Sequence, residues 1–172
     1  MYNSALMIED GVIKGKYRKI HLFNDEKKYF HPGNLDLPVF STKIGTIGML
    51  VCFDWMFPEA WRIIALQGAE MICHPSNLVL PWAQEAVPTH AINNHVFVLT
   101  ANRVGSERDL TFTGESVIVS EKGKILVRAT KQEEQIITAE FDQELSHKKN
   151  ITPGNHIFKD RRTDVYKKYP LF

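Results

Sequence analysis

The stretch IGMLVCFDWMFPEAWR, Ile47 to Arg62, decides the fold. An apolar run climbs to Cys52, and a helical pattern with Pro58 near its start follows. In KIGTIGMLVC, Ile44, Thr46, Gly48 and Leu50 alternate with Gly45, Ile47, Met49 and Val51. Both faces are apolar or small, as in a strand covered on both sides. Downstream, Pro58 suits a first helical turn and Glu59 complements the positive helix start. Trp61, Ile64 and Ala65 give an i, i+3, i+4 stripe, and Gly68 is a natural stop. Cys52 therefore sits at a strand-to-helix hinge, and two readings compete for it. Free cysteine commonly behaves as a small buried hydrophobe. A thiol in a turn feeding a helix instead meets backbone N–H groups and the positive helix end, which lower its pKa and can hold an oxyanion.

Working outward, EMICHPSN predicts a short buried strand ending in Pro75, AVPTHAINNH a helix and VFVLTANRVG another apolar strand. ESVIVSEKGKILVRAT predicts a hairpin turning at Lys122-Gly123, and EQIITAEFD a further strand. Toward the N-terminus, FHPGNLDLPVFST carries three turn-formers, and ALMIEDGVIKGKYRK predicts two strands about an Asp10-Gly11 turn. Strand, helix, strand, helix, strand, then hairpins: this order predicts an α/β fold with helices against a mixed sheet. No repeat or low-complexity linker divides the 172 residues, so a single domain over 1–172 is expected.

The charge balance, 21 basic against 20 acidic residues, leaves no concentrated basic field for nucleic acid or a membrane surface. The basic cluster KDRRTDVYKK, Lys159 to Lys168, is interrupted by acids and reads as a solvated terminal segment. Two cysteines, Cys52 and Cys73, are too few for a disulfide scaffold, which fits a reduced setting. With no basic-then-apolar leader and no apolar run near the ~20 residues that span a bilayer, a soluble cytoplasmic protein is expected.

Partners for the Cys52 thiol are sought in GKYRKIHLFNDEKKYFHPGN, Gly15 to Asn34. In an extended segment Tyr17, Lys19 and His21 share a face. A lysine on a covered face is costly without a partner or a task; the alternative is an exposed edge strand decorated with Lys and Arg. Glu26, seven residues on, is by itself an acid in a charged loop. Cys73 reads as core. A Cys–His thiol hydrolase drawing on His74, His90 or His95 is a further alternative.

YRKIHLF with a Glu seven residues past its Lys, FHPGN, VCFDWMFPEAWR, HPSNL and TANRVG occur in order. Together they resemble the nitrilase superfamily of carbon–nitrogen hydrolases, in its amidase-like branch, from about Tyr2 to IFKDRR. The resemblance implies a Cys52 nucleophile, Lys19 as oxyanion stabiliser, Glu26 as an auxiliary acid, and the Phe53 N–H as a second oxyanion donor. It also implies a four-layer α-β-β-α sandwich, here incomplete, with a mixed sheet. No metal and no organic cofactor are expected, a small-molecule amide is the expected substrate, and a homodimer or larger homo-oligomer the expected assembly. Trp55, Met56 and Phe57 read either as an apolar pocket wall or as core, and Asn77 as a pocket residue or a turn-former. Some carbamoyl-amino-acid hydrolases of the family place Arg just after the nucleophile; Asp54-Trp55-Met56 stand there instead, so no carboxylate clamp is expected.

The chain also departs from the family. The general-base Glu of the family lies on a segment well upstream of YRK. Only Glu9 and Asp10 precede Lys19 here, both at a hairpin turn. The resemblance starts about a third of the way into the family domain. The absent strands are expected to neighbour the Cys52 strand, so their absence should expose apolar sheet surface and favour association. A catalytically incomplete fragment that acts in assembly or binding is therefore the second reading.

Overall fold

The computed structural model describes residues 1–169. It opens with β1 (Ser4–Glu9) and β2 (Val12–Arg18), an antiparallel hairpin. Asp10 and Gly11 both take positive φ in its turn, a conformation Asp tolerates and Gly adopts freely. A single helical turn, α1 (Glu26–Tyr29), precedes a second antiparallel hairpin, β3 (Val39–Thr42) and β4 (Gly45–Met49). A 3-10 turn over Cys52–Met56 then leads into α2 (Pro58–Leu66), β5 (Met71–Ser76), α3 (Ala83–Asn94) and β6 (Phe97–Asn102). Pro58 sits in the first turn of α2, and Gly68 follows its end at φ 95°. A two-residue ribbon, β7 (Ser106–Glu107) with β8 (Leu110–Thr111), precedes the hairpin β9 (Val117–Val119) and β10 (Ile125–Arg128). The remainder is irregular: a 3-10 turn at Gln143–His147, the ribbon β11 (Asn150–Thr152) and β12 (Asn155–His156), and the turn of helix α4 (Thr163–Tyr166).

Six strands form one mixed sheet in the order β10-β9-β6-β5-β4-β3. β4, β5 and β6 are parallel, joined by the α2 and α3 crossovers, and antiparallel strands flank them on both sides. Side chains alternate along the parallel strands. Ile72, His74, Val98 and Thr100 face the helices, where Trp61, Ile64, Ala65, Val87 and Ala91 complete the main core. Ile47, Met71 and Phe97 face the other way and pack with Met7, Phe141 and Leu145. Burying an aliphatic side chain such as Ile64 contributes about 1.5–3 kcal/mol. α2 lies so close to β4 that a Cβ on Gly48 would come within 2.1 Å of Ile64 Cγ2. The apolar strand and the striped helix of the opening stretch are thus found as expected, but the thiol between them enters a 3-10 turn, and α2 begins only six residues later.

Three expectations are corrected. EQIITAEFD joins no sheet: residues 134–142 are irregular, with Ile136 97% exposed and Phe141 stacked on Phe97 at 4.2 Å. Phe141 packs on the sheet face while Ile136 stands in solvent, so the apolar spacing imitates a strand without a ladder. Second, VFST forms the edge strand β3, which the preceding turn-formers obscure. Third, β4 already has β3 and β5 as neighbours, so its edges are filled. The exposed apolar surface lies instead on the separate β1–β2 hairpin, where Leu6, Ile8, Val12 and Ile13 are each half or more exposed. Among the described residues no helix is long and apolar enough to cross a membrane.

Candidate active site

β4 delivers the chain to Cys52, which takes φ 49°. A non-glycine residue in the left-handed region is strained and persists only where its surroundings hold it. Here three rings do so from below. His74 Nε2 on β5 donates to the Cys52 carbonyl at 2.8 Å, Trp61 Nε1 on α2 to the Asp54 carbonyl at 3.2 Å, and His90 Nε2 on α3 to the Trp55 carbonyl at 2.8 Å. A carbonyl only accepts, so both imidazoles carry their hydrogen on Nε2. The rings also support one another: Trp61 stacks on His90 at 4.6 Å and meets His74 edge-on at 5.6 Å. Complete burial lowers the His74 pKa to about 4, keeping that ring neutral.

Asp54, fully buried, closes the elbow from the other side. One carboxylate oxygen accepts from Val51 N and from Tyr17 Oη, both at 2.8 Å. The other accepts from His21 N at 3.2 Å and pairs with His21 Nδ1 at 2.8 Å. Burial, with the neighbouring Asp54 charge, pushes the Tyr17 phenol pKa far up. Because Tyr17 and His21 bracket Lys19, this one carboxylate ties the Lys-bearing segment to the Cys-bearing elbow.

Lys19 is 1% exposed, so the covered-face reading holds and the exposed edge strand does not. Its Nζ donates to Glu26 Oε2 at 2.6 Å. Glu26 also accepts from Phe23 N at 2.8 Å and Asn3 Nδ2 at 3.0 Å, so the acid in the charged loop is fixed on three sides. The Lys19 backbone is clamped by Asn3 O at 2.9 Å and Gly33 N at 2.8 Å. Gly33, of FHPGN, must be glycine, since a Cβ there would stand 2.1 Å from Arg18 O.

The Cys52 thiol opens on a shallow cleft lined by Phe23, Phe53, Trp55, Asn77, Leu78, Val79 and Leu80. Burial pushes its pKa up. The Lys19 charge and the N–H groups of Asn77 and Phe53 oppose this without overcoming it. The sequence argument expected a lowered thiol. It fails because the turn after Cys52 is five residues of 3-10 helix rather than a long helix start, and desolvation outweighs it. Cys73, half-buried between the two core clusters, is core as expected.

Asn77 and Trp55 thus meet the cleft, whereas Met56 is exposed and Phe57 stacks on His21 at 3.6 Å. Sequence reasoning misses Asp54, Phe23 and Leu78 as site residues, and it offers His74 and His90 only as partners of a Cys–His pair, not as supports of the elbow. The signal for Asp54 was an acid two residues past a thiol, facing a Tyr–Lys–His alternation. No recorded hydrogen bond of His74 or His90 goes to the Cys52 sulfur, and His95 forms the left-handed end of α3. Glu9 and Asp10 bond Lys14 and Lys43 at the hairpin turn and do not line the cleft.

The family model described as carbon-nitrogen hydrolase matches residues 1–149. A nitrilase of Pyrococcus abyssi is 48% identical over 166 residues, which cover 96% of this chain and 63% of that protein. An N-carbamoylputrescine amidase of Solanum lycopersicum is 35% identical over 189 residues, 96% of this chain and 62% of that one. The crystal structure of a carbon-nitrogen hydrolase from Helicobacter pylori G27 superposes with a TM-score of 0.89 at 36% identity, covering 97% of this chain and 65% of that one. The chain therefore spans just under two thirds of the length of these relatives. Its motifs, its mixed sheet with helices and these matches together establish that the chain belongs to the nitrilase superfamily of carbon–nitrogen hydrolases.

Proposed function

We propose that Cys52 is the nucleophile of a hydrolase acting on a non-peptide carbon–nitrogen bond, an amide of a small molecule, through a thioester acyl-enzyme. The observation that carries this reading is the convergence of a strained Cys52 elbow with a buried Lys19 held by Glu26. The thiolate sulfur attacks the amide carbon, a C–S bond forms, and the carbonyl electron pair moves onto oxygen. The Phe53 N–H and the Lys19 ammonium meet that oxyanion, and loss of one such donor costs about 2.7–4 kcal/mol of transition-state stabilisation. Collapse breaks the C–N bond, the amine leaves with a proton, and water releases the acyl group as a carboxylic acid. Glu26 is an auxiliary that holds Lys19 in place. The proton carrier corresponds to the family acid upstream of YRK, a role for which Glu9 and Asp10 are not placed.

The cleft supports a substrate class. Its walls are apolar, and no arginine lines it. Asp54, where an arginine would begin a carboxylate clamp, is consumed inside the fold. A neutral or cationic amide or ureido compound fits these walls better than a carbamoyl amino acid, whose carboxylate would meet no arginine, as the likeness to N-carbamoylputrescine amidases also suggests. The second reading, an incomplete unit acting only in assembly, rests on the unplaced acid.

Ammonia release from a panel of amides and ureido compounds tests both, using the 172-residue chain alone and fused to the first third of the Pyrococcus relative. The fusion should turn over substrate and lose it with Cys52→Ala, while the chain alone has little or no activity. Turnover that survives both Cys52→Ala and Lys19→Met contradicts the proposal.

A further inference from the structure

Leu78, in the lining of the Cys52 cleft, lies two residues past the end of β5 and belongs to no strand, yet it is only 3% exposed. Both of its backbone groups are taken. Its N–H donates to Asn102 Oδ1 at 2.9 Å, and its carbonyl accepts from Thr113 N at 2.9 Å. The parallel ladder of β5 and β6 ends at the pair Ser76 and Asn102. The Asn102 side chain thus carries the ladder one bond further, to a segment whose own strand has already ended.

Asn102 is buried and its amide is fully engaged. Nδ2 donates to Thr113 Oγ1 at 2.9 Å and to the Gly114 carbonyl at 2.6 Å. These partners fix the amide orientation, since the Gly114 carbonyl only accepts and the Leu78 N–H only donates. Ser116 Oγ accepts from Asn102 N at 2.9 Å and donates to Asn102 O at 3.2 Å. From α3, Gln84 Nε2 donates to the same turn, to Thr113 Oγ1 at 2.7 Å and to the Gly114 carbonyl at 3.1 Å. A buried polar network satisfied in this way is rigid and specifies one arrangement. Phe23 and Phe53, also in the lining, are braced by rings: Phe23 meets Phe53 edge-on at 5.0 Å, and Phe53 meets Phe57 edge-on at 5.4 Å.

We propose that Asn102 is a specificity-determining residue that acts through Leu78: it holds that side chain as a fixed wall of the cleft and so limits the bulk of the group that reaches the Cys52 sulfur. The inference rests on the reading of Cys52 as nucleophile, and it narrows the substrate class to amides unbranched over the first few atoms from the reacting carbon. Among the described residues Asn102 makes no hydrogen bond to Cys52, Lys19 or Glu26, so its effect is on fit and not on the chemical step.

The test is the preference of Cys52 between two alkylating agents that share one reactive carbon, iodoacetamide and N-tert-butyl iodoacetamide, read by peptide-resolved mass spectrometry of the 172-residue chain. Free cysteine supplies the reference ratio. Cys52 should favour the slender reagent over that reference by about tenfold or more, and Asn102→Leu should cut this excess at least about threefold. Leu78→Ala, which removes the wall itself, should cut it as well. Leu145→Ala, on the other face of the sheet, should lower stability and leave the excess unchanged. Hydrogen exchange needs no substitution: the Leu78 N–H should be protected to the level of the β5 amides. No excess in the unaltered chain, an excess that survives Asn102→Leu, an equal loss in Leu145→Ala, or a Leu78 N–H that exchanges like a free amide each overturns the proposal. A preference that follows Asn102 while Cys52 takes no acyl group from an activated ester supports the wall and removes only the nucleophile reading.

Discussion

Asp54 joins two segments 33 residues apart with a single carboxylate, and its substitution should be felt in both. Asp54→Ala leaves the Tyr17 hydroxyl, the Val51 amide and His21 without their acceptor, so a loss of about 3–5 kcal/mol is expected in urea unfolding. A loss below about 1 kcal/mol would mean that water replaces the carboxylate and that the clamp does not exist. His74 gives a pH signature. Its folded pKa is depressed to about 4 from an ordinary value near 6.5. At pH above 6.5 both states are neutral there. Between pH 6.5 and 4 the unfolded ring takes a proton that the folded ring refuses, so stability falls as pH falls, by up to roughly 3 kcal/mol. His74→Gln, which can still donate to the Cys52 carbonyl, should show a shallower loss over that window. Parallel curves for the two proteins, from urea unfolding at a series of pH values, would rule out a neutral buried imidazole.

At the scale of elements, the packing of α2 on β4 turns on Gly48. Gly48→Ala drives a methyl into Ile64, and overpacking of this kind costs about 1–3 kcal/mol. Ile64→Ala removes the offending Cγ2, so in the double variant the two losses should not add; strict additivity would show that the helix simply shifts. The opening stretch made this packing legible in advance, because a two-faced apolar strand and a striped helix with Pro58 and Gly68 at its ends each carry their own period. The segment 134–142 was misread because period-two spacing describes side-chain direction and not hydrogen bonding; Phe141 reaches the sheet face from an irregular backbone. The site was legible to a similar depth. Lys19 and Cys52 could be found from their motifs, but the alternation of Tyr17, Lys19 and His21 left the lysine either on a covered face or on an exposed edge strand, and only the packed structure shows it inside. The ring cradle could not be found that way, since it is assembled from β5, α2 and α3 and each ring looks like ordinary core in its own element. The thiol pKa was misjudged for the same reason: desolvation is a property of the packed site, and local sequence reports only the turn.

For the whole molecule, the hairpin bearing Leu6, Ile8, Val12 and Ile13 presents apolar side chains to solvent. Such patches favour association. Sedimentation of the chain should therefore depend on concentration, and Ile8→Lys with Ile13→Lys should reduce that dependence; no difference would place the contact elsewhere. The central claim concerns Cys52 and Lys19 acting together, and it can be tested apart from the unplaced acid. An activated ester such as p-nitrophenyl acetate has a leaving group that needs no proton, so acyl transfer to sulfur can proceed without a general acid. The decisive measurement is peptide-resolved mass spectrometry of the chain after brief exposure to that ester. The account predicts one acetyl group on Cys52 and little on Cys73, with Cys52 labelling slowed about 100-fold or more in a folded Lys19→Met variant. Equal labelling of the two cysteines, or Cys52 labelling indifferent to Lys19, would contradict it.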